Sequence, residues 1–114
     1  MDECIFCKIV RKEIPAKLAG ESEGAAAFYD INPQAPVHVL IIPKEHIASA
    51  MDVGPGHGKT LEAMFALAQD CVKKEKLEPT GFRLVMNYGP DAGQSVHHLH
   101  MHMLGRRKLA WPPG

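Results

Sequence analysis

Long apolar runs and blocks of like charge are both missing from this sequence of 114 residues. No stretch approaches the roughly 20 consecutive apolar residues that a membrane-spanning helix needs. Asp2 and Glu3 stand where a signal peptide would carry positive charge, which favours a cytoplasmic protein. Basic and acidic residues number 13 each, so neither nucleic acid nor a membrane is expected as a partner held by bulk charge. Any substrate should be recognised locally.

Cysteine is scarce and odd in number, which argues against a disulfide framework. Cys4 and Cys7 form a C-x-x-C motif, and Cys71 is the third. A redox pair would be expected after a strand in a βαβ unit, and no such unit precedes this motif. A zinc site would need two more ligands, which His46 or a C-terminal histidine could supply. Zinc ligands and free thiols both remain open, while Cys71 is predicted to be a small core residue.

The pattern of apolar residues predicts one α+β domain. Residues 4–15 predict a short helix that ends before Pro15, and residues 59–77 predict a long one. The apolar positions that give the long helix its spacing are Leu61, Met64, Phe65, Ala68, Cys71 and Val72. Strands are predicted at 17–22, 24–30, 37–43, 81–87 and 95–104. Short links between neighbouring strands favour an antiparallel sheet.

GPGHGKT at 54–60 resembles a phosphate-binding loop only superficially. That motif needs four residues between its first glycine and Gly-Lys-Thr, and only three separate Gly54 from Gly58. The preceding segment is also a poor strand. We predict a loop that opens the long helix.

Four of the seven histidines lie between positions 97 and 102. Because side chains alternate along a strand, His98, His100 and His102 would share one face. The opposite face would carry His97, Leu99, Met101 and Met103. A purely structural strand would not line one face with three titratable imidazoles, so this face is predicted to be functional.

Strand geometry limits how these histidines could bind a metal. Alternate residues lie about 6.6 Å apart, which separates His98 from His102 by about 13 Å at the backbone. With zinc–nitrogen bonds of about 2.0–2.1 Å, two neighbouring members could reach one ion, but three could not. At least one of the three must have another role.

An imidazole with a pKa near 6.5 is largely neutral at neutral pH and is a competent nucleophile toward phosphorus. Such chemistry also needs a second histidine for leaving-group protons and donors for the phosphoryl oxygens. The segment just upstream supplies Asn87, Gln94 and Ser95, and Gly93 would let backbone amides come close. The sequence therefore predicts a phosphate site beside the histidine face.

The C-terminal segment cannot be regular helix or sheet, because Pro112 and Pro113 lack amide donors. Trp111 is the only tryptophan. An aromatic residue on such a tail is expected to dock, either on its own subunit or on a partner subunit.

Residues 98–104, HLHMHML, match the signature His-φ-His-φ-His-φ-φ, where φ is apolar, and the chain resembles the histidine triad (HIT) superfamily. RKEIPAK, NPQAPVH, IIPKEHI, GQSV and WPPG resemble its nucleotide-binding HINT branch. This resemblance covers essentially the whole chain. It implies a HIT-like fold, a five-stranded antiparallel sheet with one long and one short helix, in a single domain over 1–114. It also implies a homodimer with one ten-stranded sheet, with the tail at 105–114 docking at the interface.

The resemblance further implies a purine nucleoside phosphoramidase. His100 would attack the α-phosphorus of an adenosine 5'-phosphoramidate, and water would release AMP from the nucleotidyl-histidine. His102 would assist at the phosphate, and His38 would support the cluster. The implied nucleoside contacts are Ile5, Phe6, Ile9, Phe28 and Ile31, with Asp30 on the ribose hydroxyls. The implied contacts to the phosphate or leaving group are Asn87, Gly93, Gln94 and Ser95, with Trp111 reaching the partner's site.

Cys4 and Cys7 resemble microbial members of this branch, in which the cysteine pair and two histidines hold a structural zinc. The matching histidines are His46 and His98, which leaves His100 free, and no cofactor is implied for the chemistry. His97 stands where the branch usually has an aromatic residue, should point away from the catalytic face, and is assigned no role. Two other activities stay open: hydrolysis of dinucleoside polyphosphates, and purine-nucleotide binding without catalysis. The WPPG ending favours the phosphoramidase.

Overall fold

The computed structural model describes residues 4–114, and Met1, Asp2 and Glu3 lie outside the described residues. Two helices, one long and one short, and five strands follow one another in the predicted order. They are α1 (Ile5–Val10), β1 (Leu18–Glu21), β2 (Ala25–Tyr29), β3 (Val37–Pro43), α2 (Gly58–Lys74), β4 (Phe82–Val85) and β5 (Met101–Gly105). The predicted α+β class is confirmed.

The five strands form one antiparallel sheet in the order β1-β2-β3-β5-β4. Strand β3 lies at the centre and is buried at all seven positions, as its largely apolar run predicts. Strands β1 and β4 form the two edges. The central position of β3 places His38 beside β5, where His38 pairs with Leu104.

Helix α2 covers one face of the sheet and buries Met64, Leu67, Ala68, Cys71 and Val72. Cys71 is therefore a core residue, as predicted. Phe65 fits the apolar spacing of the helix but lies outside this core, since its side chain is 47% exposed. At 3.6 residues per turn, Phe65 lies one position past Met64 and is rotated off the buried stripe.

The other face of the sheet carries a smaller core, to which α1 contributes Phe6 and Ile9. These side chains pack with Phe28 of β2 and Leu40 of β3. The histidines of the triad lie on this same face, between α1 and the sheet.

Strand β5 begins at Met101, so the prediction that residues 95–100 belong to it is wrong. The backbone amide of Leu99 donates to the Ile47 carbonyl at 2.6 Å, in the loop after β3, rather than to β3 itself. Alternation nevertheless holds through this stretch. Leu99, Met101 and Met103 enter the core under α2.

The glycine-rich segment at 54–60 is a short turn at Pro55–His57 followed directly by α2, and the element immediately before it is another short turn, at Ala50–Asp52, rather than a strand. This confirms the predicted loop that opens the helix. No helix within residues 4–114 is both long and apolar enough to cross a membrane.

Candidate active site and metal centre

Four potential metal ligands come together where the start of α1 meets the loop after β3. The ligand atoms of Cys4, Cys7, His46 and His98 all lie within 4.8 Å of one another. His98 Nδ1 lies 3.3 Å from Cys4 Sγ, 3.6 Å from Cys7 Sγ and 3.2 Å from His46 Nδ1. Tetrahedral zinc requires edges of about 3.3 Å between nitrogens and about 3.6 Å between sulfur and nitrogen. The described atoms thus have the spacing of a zinc tetrahedron.

The protonation of these groups also fits a metal. His98 Nε2 donates to the Pro43 carbonyl at 2.9 Å, which leaves the Nδ1 lone pair facing the cysteines. Burial lowers the pKa of His98, so its imidazole is neutral. Burial and the adjacent Cys4 thiol raise the pKa of Cys7, and a dication at the centre would reverse this by favouring the thiolates.

The cysteine pair is shaped by the first turn of α1. Cys4 is the N-cap, and its sulfur accepts a hydrogen bond from the Cys7 amide at 3.3 Å. Between them, Phe6 faces the sheet, with its ring edge-on to those of His98 at 5.9 Å and His100 at 5.2 Å. The helix that carries the two thiols therefore also supports the second histidine of the triad.

His100 is 8% exposed and has its tautomer set by the main chain. Its Nδ1 lies 2.7 Å from the carbonyl oxygen of His98, which can only accept a hydrogen bond. The ring proton must therefore sit on Nδ1, and Nε2 keeps a free lone pair. An imidazole in this state can act as a nucleophile or as a base at Nε2.

His102 and His38 form a second contact on the same face. His102 Nδ1 lies 2.9 Å from His38 Nε2, and Asp30 Oδ2 lies 3.4 Å from that same His38 nitrogen. Burial, with smaller contributions from His100 and His38, lowers the pKa of His102 to about 4. Burial also lowers the pKa of His38, although the Asp30 carboxylate opposes it. Both rings are therefore neutral at neutral pH.

The residues expected to hold a nucleoside divide into two groups. Phe6, Ile9 and Phe28 are buried together beside His100. Ile5 is 48% exposed, and Ile31 is fully exposed in the turn after β2. Asp30, before that turn, accepts a hydrogen bond from the Asn32 amide at 2.8 Å on its other carboxylate oxygen.

The loop between β4 and β5 carries the residues expected at the phosphate. Gln94 is hydrogen-bonded within this loop and to the loop after β3. Its Oε1 accepts from the Gly89 amide at 3.0 Å, and its Nε2 donates to the Val96 and Ala48 carbonyls, each at 3.3 Å. Gly93 has a φ of +78°, which favours glycine. Asn87 is half-buried and Ser95 is exposed.

His97 and Ser95 line a shallow cavity together with Cys4 and His46. His97 is exposed and lies in a bend rather than in a strand, so strand alternation does not determine where it points. His97 does not belong to the group of four potential metal ligands.

The tail leaves Trp111 80% exposed. Arg83 of β4 donates to the Ala110 carbonyl at 3.0 Å, and its guanidinium lies 6.0 Å from the centroid of the indole. The tail is thus anchored to the edge strand, and the tryptophan remains available for contacts outside its own subunit.

The structure brings His38, His100 and His102 together, and it separately brings together the four potential metal ligands. The sequence-based expectations missed the main-chain groups that set the ring protons, namely the carbonyls of Pro43 and His98. A carbonyl is present at every residue, so no sequence signal marks these two.

A protein-family model described as "HIT domain" matches residues 11–109. The purine nucleoside phosphoramidase of Escherichia coli K12 is 43% identical over 108 residues, which cover 95% of this chain and 91% of that protein. The 14 kDa zinc-binding protein of Zea mays is 46% identical over 112 residues, covering 96% of this chain and 87% of that protein. The crystal structure of a HIT family hydrolase from Legionella pneumophila superposes with a TM-score of 0.95 at 46% identity, covering 98% of this chain and 100% of that chain. With its five-stranded sheet and its histidine triad, the chain belongs to the HIT domain family and is a hydrolase of that superfamily.

Proposed function

We propose that this hydrolase binds a purine nucleotide and cleaves the P–N bond of adenosine 5'-phosphoramidate-type substrates, releasing AMP. The observation that carries the proposal is the state of His100, whose Nδ1 proton is held by the His98 carbonyl while Nε2 is free. The phosphoramidase named among its relatives supports the choice of bond. The buried apolar wall of Phe6, Ile9 and Phe28 supports a flat, apolar base beside the nucleophile.

In the first step, His100 Nε2 forms a bond to the α-phosphorus and the P–N bond breaks. The departing amine takes up one proton from the solvent, and His100 Nδ1 keeps its own proton, which stays hydrogen-bonded to the His98 carbonyl. In the second step, water attacks the nucleotidyl-histidine, releases AMP and returns one proton to the solvent. Atoms and charge therefore balance, and the net reaction consumes one water.

His102 and His38 have supporting roles in the proposal. His102 is neutral and one ring away from His100, with ring centroids 5.2 Å apart. It offers a hydrogen bond to the phosphoryl oxygens or to the leaving group. His38 hydrogen-bonds Nδ1 of His102, and Asp30 lies beside the same His38 nitrogen. Asp30 would also bind the ribose hydroxyls.

We further propose a homodimer formed through the edge strand β4 and helix α2. Phe65 and Phe82 are 47% and 43% exposed, and Met86 is 37% exposed. An apolar groove runs beside them between α2 and β4. Pairing two copies of β4 would cover this groove, extend the sheet to ten strands, and carry Trp111 toward the partner's site.

The cluster of Cys4, Cys7, His46 and His98 is proposed to hold one structural zinc per chain. When bound, the ion would fix α1 to the loop after β3, and the chemistry would not pass through it. Cys4 and Cys7 must stay reduced for this role, so the proposal includes a reducing compartment such as the cytoplasm.

Comparing kcat/KM on two substrates tests the proposed bond. An adenosine 5'-phosphoramidate should be cleaved at least about ten-fold more efficiently than a dinucleoside polyphosphate, a difference of about 1.4 kcal/mol in transition-state binding. A preference for the polyphosphate would contradict the proposal. Tight AMP binding with no turnover of either would identify a non-catalytic binder.

A further inference from the structure

The two ring nitrogens of His38 face partners of opposite kinds. Nδ1 lies 3.0 Å from the backbone nitrogen of Gln34, which carries a hydrogen and can only donate. Nε2 lies 2.9 Å from His102 Nδ1 and 3.4 Å from the Asp30 carboxylate. Nδ1 must therefore be the acceptor, and the single proton of the neutral ring must be on Nε2.

This assignment fixes the next ring as well. If His38 Nε2 donates to His102 Nδ1, the proton of the neutral His102 ring must be on its Nε2. The N–H left to face a phosphoryl oxygen or leaving group is then His102 Nε2–H. The amide of Gln34 thus determines, two rings away, that His102 presents a donor rather than a lone pair.

The same contacts argue against a metal at Asp30, His38 and His102, although these three could reach one ion. A metal bound at His38 Nε2 would move the ring proton to Nδ1. That proton would then point at the Gln34 N–H, so two donors would face each other. The group is built for hydrogen bonding.

Gln34 is exposed in the loop between β2 and β3, and a residue of the C-terminal segment forms a hydrogen bond to it. Arg107 Nε donates to the Gln34 carbonyl at 2.9 Å. The Gln34 side chain makes one hydrogen bond within residues 4–114, and it is local: its Nε2 donates to the Asn32 carbonyl at 3.0 Å. Arg107 is thus the long-range support of the residue that sets the His38 tautomer.

We propose that Arg107 is a positioning residue: it holds Gln34 so that the backbone amide keeps His38 protonated on Nε2 and His102 protonated on Nε2. The catalytic meaning of this chain of contacts rests on the proposed function. The protonation states themselves do not, because they belong to the unliganded protein.

Arg106 supplies a matched control. It precedes Arg107, is also exposed, and donates to a backbone carbonyl, that of Glu75, at 2.7 Å. Its contacts lead to the end of α2 and not to the histidines. Arg106→Gln removes as many donors as Arg107→Gln but leaves Gln34 supported.

The test is ¹⁵N NMR of the imidazole nitrogens in the unliganded dimeric protein, together with steady-state kinetics. In the wild type, His38 and His102 should both show a protonated Nε2 and an unprotonated Nδ1. Arg107→Gln should produce a mixture of tautomers at His38 and lower kcat about two- to ten-fold, the loss of one hydrogen bond, with KM unchanged. Arg107→Lys should restore both readouts in large part, and Arg106→Gln should change neither.

A second pair of variants acts on the amide directly. Gln34→Pro removes the donor, and Gln34→Ala removes the side chain but keeps the amide. The proline variant should show the tautomer mixture, and the alanine variant should not. Wild-type His38 protonated on Nδ1, or Arg107→Gln indistinguishable from Arg106→Gln, would overturn the proposal. The stated tautomers in a wild type that cleaves no phosphoramidate would overturn the proposed function alone.

Discussion

At the scale of single residues, the triad positions differ because their ring nitrogens meet different main-chain atoms. His98 Nε2–H donates a hydrogen bond to the Pro43 carbonyl, which leaves the lone pair of Nδ1 for the proposed metal. His100 Nδ1–H donates a hydrogen bond to the His98 carbonyl, which leaves the lone pair of Nε2 for the proposed attack on phosphorus. Neighbouring histidines on one face thus acquire opposite tautomers and separate roles.

The lowered pKa of His102 leads to a prediction about pH. Burial lowers this pKa to about 4, so His102 should stay neutral from pH 8 down to about pH 5. Its ¹⁵N resonances should therefore not titrate over that range in the folded protein, and should titrate near 6.5 when urea unfolds the chain. A His102 midpoint near 6.5 in the folded protein would contradict the assignment.

The same shift has a consequence for stability. Because the folded pKa lies below the unfolded one, the unfolded chain takes up the proton first as pH falls. The contribution of His102 is complete above about pH 6.5 and is lost toward about pH 4. The free energy of unfolding should fall more steeply between these values in the wild type than in His102→Asn. If the free energy of unfolding of the two proteins changes in parallel with pH, this account of His102 is refuted.

At the scale of elements, α1 connects the proposed zinc to the proposed nucleophile. The thiols of Cys4 and Cys7 at its first turn belong to the proposed zinc site, while Phe6 lies against the ring of His100. A six-residue helix is too short to be stable alone, so its position depends on these two contacts. Loss of the metal should therefore loosen the wall of the nucleoside site.

Cysteine variants test this dependence. Cys4→Ser and Cys7→Ser should lower the zinc content from about one per chain toward zero, because four ligands define the site. The amides of α1 should then exchange faster with solvent. Cys71→Ala, in the main core, should keep its zinc. Wild-type protein free of zinc, purified without chelator and with titratable thiols, would remove the zinc proposal and leave the catalytic one.

Prediction from sequence succeeded for elements whose signal is local. The largely apolar run 37–43 predicts β3 with its observed bounds, and helical spacing predicts α2. The start of β5 could not be predicted, because it depends on where the chain after β3 turns to take the Leu99 amide. Phe65 follows the apolar pattern but lies at the rim of the helix, where burial depends on what covers β4.

The candidate site shows the same division. Alternation predicts one face for His98, His100 and His102, and Phe6 lies against the rings of the first two. The residues alone suggest His46 or one triad histidine as partners of the cysteine pair, and the full set of four comes from the family resemblance. The support of His38 by Gln34 and Arg107 could not be predicted. It uses backbone atoms, and residues 34 and 107 are brought together only by the fold.

At the scale of the whole molecule, the edge strand β4 has a strand partner on one side only. An apolar groove lies between β4 and α2, and Arg83 of β4 holds the C-terminal tail. An exposed apolar edge is an association site unless it is covered, and a second copy would cover it symmetrically.

Phe65→Glu should convert the proposed dimer of 12.5 kDa chains to a monomer, since the substitution would bury a charge in the proposed interface. Leu18→Glu, at the opposite edge of the sheet, is the control and should remain dimeric. Sedimentation velocity measures both. A wild type that is monomeric at micromolar concentration, or equal behaviour of the two variants, would contradict the β4 interface.

The central claim is that His100 becomes covalently attached to the nucleotide. An adenosine phosphoramidate should be mixed rapidly with the enzyme, quenched within the first turnover, and the digested protein analysed by mass spectrometry. The account predicts AMP on the peptide containing His100, attached to that residue, absent in His100→Asn and present in His97→Asn. AMP release with no labelled histidine at any time before steady state, or label on a residue other than His100, would contradict it.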